Sequence, residues 1–243
     1  MSVEREEIAA LLARRGYAAQ TEAASRLREL PQGDALRLVA SALDRSFRAQ
    51  RRVERAVKQL GWLLGCVAVA LVATQQFAAA FVLMLALVLF FCVPLPLLLR
   101  VWRLPLWINA RAAALDLIER ADRPAYCGAL LDLAAVVESV PRGWKGSGLR
   151  GALETRLVRL LPRLEPEGAA LLTDSQRAQL RRMLVRHRDY PDACIAILLA
   201  LGTARDRAAQ NEARLLVVNH PSDRVRAAAR ECLLSLGSVE KEF

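Results

Sequence analysis

The side chains able to do chemistry in this sequence are few and scattered. Its two histidines, His187 and His220, stand far apart along the chain. A catalytic histidine needs a nucleophile or a carboxylate held against it. Here His187 is followed by Arg188 and Asp189, and His220 by Pro221, so both read as turn residues in solvated joints between helices. The five cysteines, Cys66, Cys92, Cys127, Cys194 and Cys232, include no C-x-x-C pair. Zinc ligation and disulfide frameworks both need clustered spacing, so these thiols read as reduced and structural. No G-x-S-x-G, Gly-rich phosphate loop, H-E-x-x-H or clustered carboxylate pair occurs. The sequence offers no catalytic residue, no metal site and no cofactor, and it does not read as an enzyme.

The elements that would hold any site are helical. Ala, Leu, Arg and Glu dominate the 243 residues and aromatic residues make up only 5%, the composition of a helix former. The fold class is therefore all-α. Basic residues number 35 against 25 acidic, a net charge of +10. Such a balance suits nucleic acid, an anionic membrane surface or nothing beyond coding bias; with Lys58, Lys145 and Lys241 the only lysines, the arginine skew itself looks compositional.

One stretch outweighs the rest. Between Lys58 and Arg100 no Asp, Glu, Lys or Arg occurs. A bilayer-spanning helix needs about 20 apolar residues, so this gap is too long for one span and fits two, turning at Thr74-Gln75-Gln76. The first span covers residues 60–73 and the second 77–99. The second carries 15 Leu, Val or Phe residues and the first only seven, so the first is weak and short, and inserts as half of a hairpin. Gly61 and Gly65 form a G-x-x-x-G for close helix packing, within the hairpin or, alternatively, in a homo-oligomer. Arg51, Arg52, Arg55 and Lys58 precede the gap, and Arg100 and Arg103 follow it. Positive charge at both outer ends places both termini on the cytoplasmic side of an integral membrane protein. Trp62, Trp102 and Trp107 mark the membrane interface, and anionic headgroups are the expected partner of the basic cluster.

Four regions result: N-terminal cytoplasmic helices over 1–59, the transmembrane helical hairpin over 60–99, an interfacial elbow and helix over 100–123, and a helical repeat domain over 124–243. No breaker lies between Asp34 and Gly61, so a helix capped at Gly33-Asp34 runs without interruption towards the first span. In the last region, Thr173-Asp-Ser-Gln176 is a capping box, Pro191 opens a helix that Gly202 closes, and Ser222-Asp223 opens another that Gly237 closes. Leu198-Leu-Ala-Leu-Gly202 recurs as Leu233-Leu-Ser-Leu-Gly237, a displacement of 35 positions. A period of that size built from two helices signals an α-solenoid.

Residues 222–237, Ser-Asp-Arg-Val-Arg-Ala-Ala-Ala-Arg-Glu-Cys-Leu-Leu-Ser-Leu-Gly, resemble the second helix of a HEAT repeat: an acid, Val-Arg, a small pair, then Leu and a closing Leu-Gly. Asp206 to Val218 is similar to the preceding first helix. The HEAT/armadillo-like resemblance covers residues 174–237, best over 203–237, while 124–173 departs from the pattern at Pro162 and around Trp144. It implies that Asp223 and Arg226 hold structural roles at the inter-helix turn and that Val225, Ala228, Ala229, Leu233 and Leu236 face the core. It implies architecture and not a ligand. The expected function is a membrane-anchored helical-repeat scaffold that binds a protein partner or docks on a larger membrane complex. The alternative is nucleic-acid binding, for which Arg177, Arg181, Arg182, Arg186 and Arg188 on one helix would track phosphates.

Overall fold

Helix formers with few interruptions leave the chain little else to become. The computed structural model describes residues 2–13, 17–73, 82, 109–139 and 147–237, and no strand occurs among them. The first helices are α1 (Ser2–Ala13), α2 (Tyr17–Glu29) and α3 (Gln32–Ala73). Pro31 ends the path of α2, and its carbonyl accepts from the N–H groups of Asp34 (2.9 Å) and Ala35 (3.0 Å) to build the opening turn of α3. The helix thus begins before Gly33, and Asp34 lies inside its first turn, where its charge complements the helix dipole. With no proline between Gln32 and Ala73 to stop it, α3 continues for 42 residues, about 63 Å at 1.5 Å per residue.

The chain divides into two units. The first comprises Met1–Ala23 and Ser41–Ala110. In it α1 buries Ile8, Leu11 and Leu12, and α3 buries Ala42, Leu43 and Phe47. Among the described residues no helix is long and apolar enough to cross a membrane. The expected first span, 60–73, forms the end of α3, and at about 21 Å it is shorter than the ~30 Å hydrocarbon core. The expected turn at 74–76 and the second span, 77–99, lie outside the described residues, Val82 excepted.

The second unit comprises Ala24–Ala40 and Arg111–Phe243. Its helices are α4 (109–120), α5 (Cys127–Glu138), α6 (Ser147–Leu160), the single turn α7 (Pro166–Ala170), α8 (Asp174–Arg186), α9 (Pro191–Thr203), α10 (Gln210–Asn219) and α11 (Asp223–Ser235). The Nε2 of Gln32 donates to the carbonyl of Leu117 at 3.1 Å, which ties the start of α3 to α4. Arg156 of α6 donates to the carbonyls of Ile118 (2.9 Å) and Glu119 at the end of α4, where helix carbonyls lack a full set of partners. Beyond this point α5 packs on α6 and α8, α6 on α9, α8 on α9, α9 on α11, and α10 on α11. The order is one of helix pairs, each laid on the next.

The register of these pairs differs from the 35-residue displacement. Pro191 and Asp223 begin α9 and α11, and the left-handed residues that follow the two helices are Arg205 (φ 49°) and Gly237 (φ 70°). Starts and stops alike are thus 32 positions apart. Gly202 does not end α9. It lies in the last turn, where a Cβ would come within 3.3 Å of the Cα of Cys232, so the absent side chain permits close approach of α9 and α11. Arg205 occupies the conformation that glycine takes after α11. Arg205→Gly removes the steric cost of left-handed backbone on a Cβ-bearing residue, about 1 kcal/mol, and is expected to raise the urea midpoint without changing the slope of the transition; a lowered midpoint would contradict the assignment.

Candidate functional site

Two surfaces carry the features a partner would read, and each belongs to one unit. The first is the far half of α3. Arg45, Arg48, Arg51, Arg52, Arg55 and Lys58 are all exposed. Arg48 pairs with Asp44 at 2.5 Å; the Nε of Arg55 donates to the carbonyl of Arg51 at 3.4 Å. Immediately after the last charge the same helix turns apolar while staying uncovered: Trp62 is 79% exposed, Leu63 64% and Val69 70%. Gly61 lies half-buried on α3, and the helix runs on through Gly65. Arg100, Trp102, Arg103 and Trp107 lie outside the described residues.

The second surface is a cleft of about 660 Å³ between α6, α8 and α9. The periodicity of α6 builds one wall, because Arg150, Glu154, Leu157 and Val158 recur at three- and four-residue steps. Met183 and Ile197 close the floor, and Tyr190, 65% exposed, stands at the lip. His187 is not a solvated turn residue. Its side chain is largely buried, its Nε2 lies 3.2 Å from Glu154 Oε1, and the contact is out of line for a hydrogen bond, so this nitrogen has no hydrogen-bond partner. The ring meets Tyr190 edge-on at 5.9 Å. A His–carboxylate pair is the beginning of an acid–base site, yet among the described residues no third His, Cys, Asp or Glu joins it as a metal set.

His220 is also buried, at 3% exposure. Its Nε2 donates to the carbonyl of Arg188 at 2.8 Å and its Nδ1 accepts from the N–H of Ser222 at 3.1 Å, an arrangement that assigns the proton to Nε2. The imidazole thereby ties the α8–α9 joint to the α10–α11 joint. Arg226 donates to the carbonyl of His220 at 2.7 Å and pairs with Asp223, while Val225, Ala228, Ala229, Leu233 and Leu236 are buried. The side chains of Asp223 and Arg226 therefore close the joint and leave neither group reserved for a ligand.

The five arginines in and after α8 divide by role. Arg181 pairs with Asp206, which also caps the turn at Arg207–Ala209; Arg186 pairs with Glu138 of α5; Arg177 Nε donates to the carbonyl of Leu172 at 3.1 Å. Only Arg182 and Arg188 among the five are exposed without an ion pair among the described residues. Beside them, Gln176 completes the Thr173 capping box, donating through Nε2 to the carbonyl of Gly128 and to Asp132 Oδ1, both at 3.0 Å. One residue thus closes α8 and fastens it to α5.

Comparison with known proteins adds no relative. No family model, curated protein or solved structure matches the chain. What can be said of function rests on these two surfaces.

The buried thiols lie outside both. Burial pushes Cys127 up to about 12, and Cys194 and Cys232 each to about 11, from an ordinary value of 9.0. At pH 8 the thiolate fraction at pKa 11 is about one part in a thousand. All three are expected to resist maleimide at pH 8 until urea unfolds the chain. Between about pH 9 and 11 the unfolded chain loses these protons first, so it binds fewer protons than the folded one and stability falls as pH rises through that window. Rapid labelling of any of the three in the folded protein would contradict this placement.

Proposed function

We propose that the chain is a membrane-anchored helical scaffold. The apolar end of α3 enters the bilayer as the first arm of a hairpin completed by residues 77–99, the basic cluster Arg45–Lys58 lies among anionic headgroups, and the helical unit is held on the cytoplasmic side with both termini. The observation that carries this reading is the junction within α3. A helix whose exposed surface is cationic up to Lys58 exposes Trp62, Leu63, Val67 and Val69 directly afterwards. Water is a poor solvent for that end, and the helix must find another cover. Each basic residue near an anionic surface contributes about 1 kcal/mol, so the charged and apolar halves favour the same depth.

The paired helices α8–α11 support a HEAT-like solenoid in which α9 and α11 form one layer. Such arrays present extended surfaces to proteins, and the role we assign is to bind a partner or dock on a larger membrane complex, without catalysis. Nucleic-acid binding is the weaker reading, because Arg177, Arg181 and Arg186 already serve intramolecular contacts. We assign Gly61 and Gly65 to packing against the second arm or another copy.

Carbonate washing of membranes from expressing cells tests the anchor. The full chain is expected to stay in the membrane fraction, and recovery in the supernatant would refute it. Replacing Arg51, Arg52, Arg55 and Lys58 with glutamine is expected to weaken binding to vesicles containing phosphatidylserine by up to about 4 kcal/mol, with little change on neutral vesicles.

A further inference from the structure

Contacts within the helical unit sort its helix ends into two sets. A Cβ on Gly148, at the start of α6, would lie 3.1 Å from the guanidinium of Arg111, at the start of α4. Further along α6, Arg156 reaches the carbonyls at the end of α4, so the two helices run parallel. Glu154 faces His187, Arg150 and Tyr190 line one cleft, and Glu138 pairs with Arg186. The α8–α9 joint and the end of α5 therefore lie beside the start of α6, and His220 adds the α10–α11 joint through the carbonyl of Arg188. The opposite end holds the start of α3, where Gln32 meets Leu117, and the α9–α10 joint. The chain enters the unit at α4, ten positions after the proposed second arm. In the scaffold reading, the end that carries the start of α4 is thus the one delivered to the bilayer surface.

The two ends differ in charge. At the α4 end the acids are taken: Glu138, Asp192 and Asp223 pair with Arg186, Arg224 and Arg226. Arg111, Arg150 and Arg188 have no ion pair among the described residues, and Asp189 is the one acid there in the same position. The Nε groups of Arg111 and Arg150 are buried without a hydrogen-bond partner. At the other end the exposed acids Glu119, Asp122, Glu165, Glu167 and Asp174 offset the arginines beside them. The geometry points to the α4 end, with Arg111, Arg150, Arg188 and Tyr190, as a second membrane-contact surface that rests on anionic phospholipid headgroups. Its three arginines come from α4, α6 and the α8–α9 joint, a spread that suits a plane of charge better than one small ligand. Tyr190, 65% exposed at the same end, is an amphipathic ring of the kind that settles at headgroup level. Attraction to such a surface falls off within about 8 Å at physiological salt, and the short connection to the second arm holds the unit close to it. This rests on the anchor reading above and adds an orientation to it.

Headgroup proximity in reconstituted vesicles tests it, in the full chain with Cys66 and Cys92 replaced by serine. One fluorophore is attached at Asn219→Cys, exposed at this end, or at Ala170→Cys, exposed at the other. On vesicles containing phosphatidylserine and a headgroup-nitroxide lipid, the label at 219 is expected to be quenched about threefold or more strongly than the label at 170, and the excess to shrink at about 1 M salt. Arg111→Gln/Arg150→Gln/Arg188→Gln is expected to lose most of that excess, and Arg188→Gln alone, at an exposed position, part of it. Equal quenching at the two positions, stronger quenching at 170, an undiminished excess on phosphatidylcholine vesicles, or variants that quench as before would each overturn the proposal. Carbonate extraction of the same vesicles separates the two readings: a chain that stays in the membrane with both labels equally quenched keeps its anchor and loses this surface, while a chain that washes off loses both.

Discussion

An apolar helix end that the described residues leave exposed has to be covered by something else, and the rest of this account depends on that. Fully burying a Leu, Val or comparable side chain is worth about 1.5–3 kcal/mol. Trp62, Leu63, Val67 and Val69 are about half to four-fifths exposed, so together they leave several kcal/mol unclaimed in water. The same helix carries six exposed cationic residues in the preceding turns. Soluble helices resolve such conflicts by placing charge and apolar surface on opposite faces; α3 separates them along its length, as suits a helix passing from one solvent into another.

The helical unit solves a different problem, that of holding paired helices, whose core is mostly leucine, in one register. It does so through buried polar contacts at the joints. Gln176 spans α5 and α8, the Arg181–Asp206 pair fastens α8 to the turn before α10, and His220 bridges two joints. Each member is satisfied by a specific partner, and one-sided removal would leave the other buried and unpaired, which is what makes such contacts specify a single arrangement.

Much of this was legible in the sequence where the signal was local. The Thr173–Gln176 capping box needs only a three-residue spacing, and the length of α3 follows from the absence of proline between Gln32 and Ala73. The 35-residue displacement was misleading because it aligned Gly202 with Gly237 by identity, while the helix after which Gly202 appeared to stop is ended by Arg205, a residue type with no preference for left-handed backbone. The burial of His220 and His187 could not be read either, since the Arg188 carbonyl and Glu154 that meet them lie 32 and 33 positions away. The cleft was equally hidden: its three helices bring together residues from Arg150 to Ile197, and only the repeated spacing of Arg150, Glu154, Leu157 and Val158 on α6 hints at one wall.

The most direct measure of the central claim is spin-label accessibility along α3 in reconstituted vesicles, with one label at Cys66 in a Cys92→Ser chain and one at position 51 in an Arg51→Cys chain whose Cys66 and Cys92 are both serine. The account predicts that the label at Cys66 relaxes with dissolved oxygen and is shielded from a water-soluble nickel chelate, with the opposite preference at Arg51. Equal access of the chelate to both positions would place the apolar end of α3 in water and contradict it.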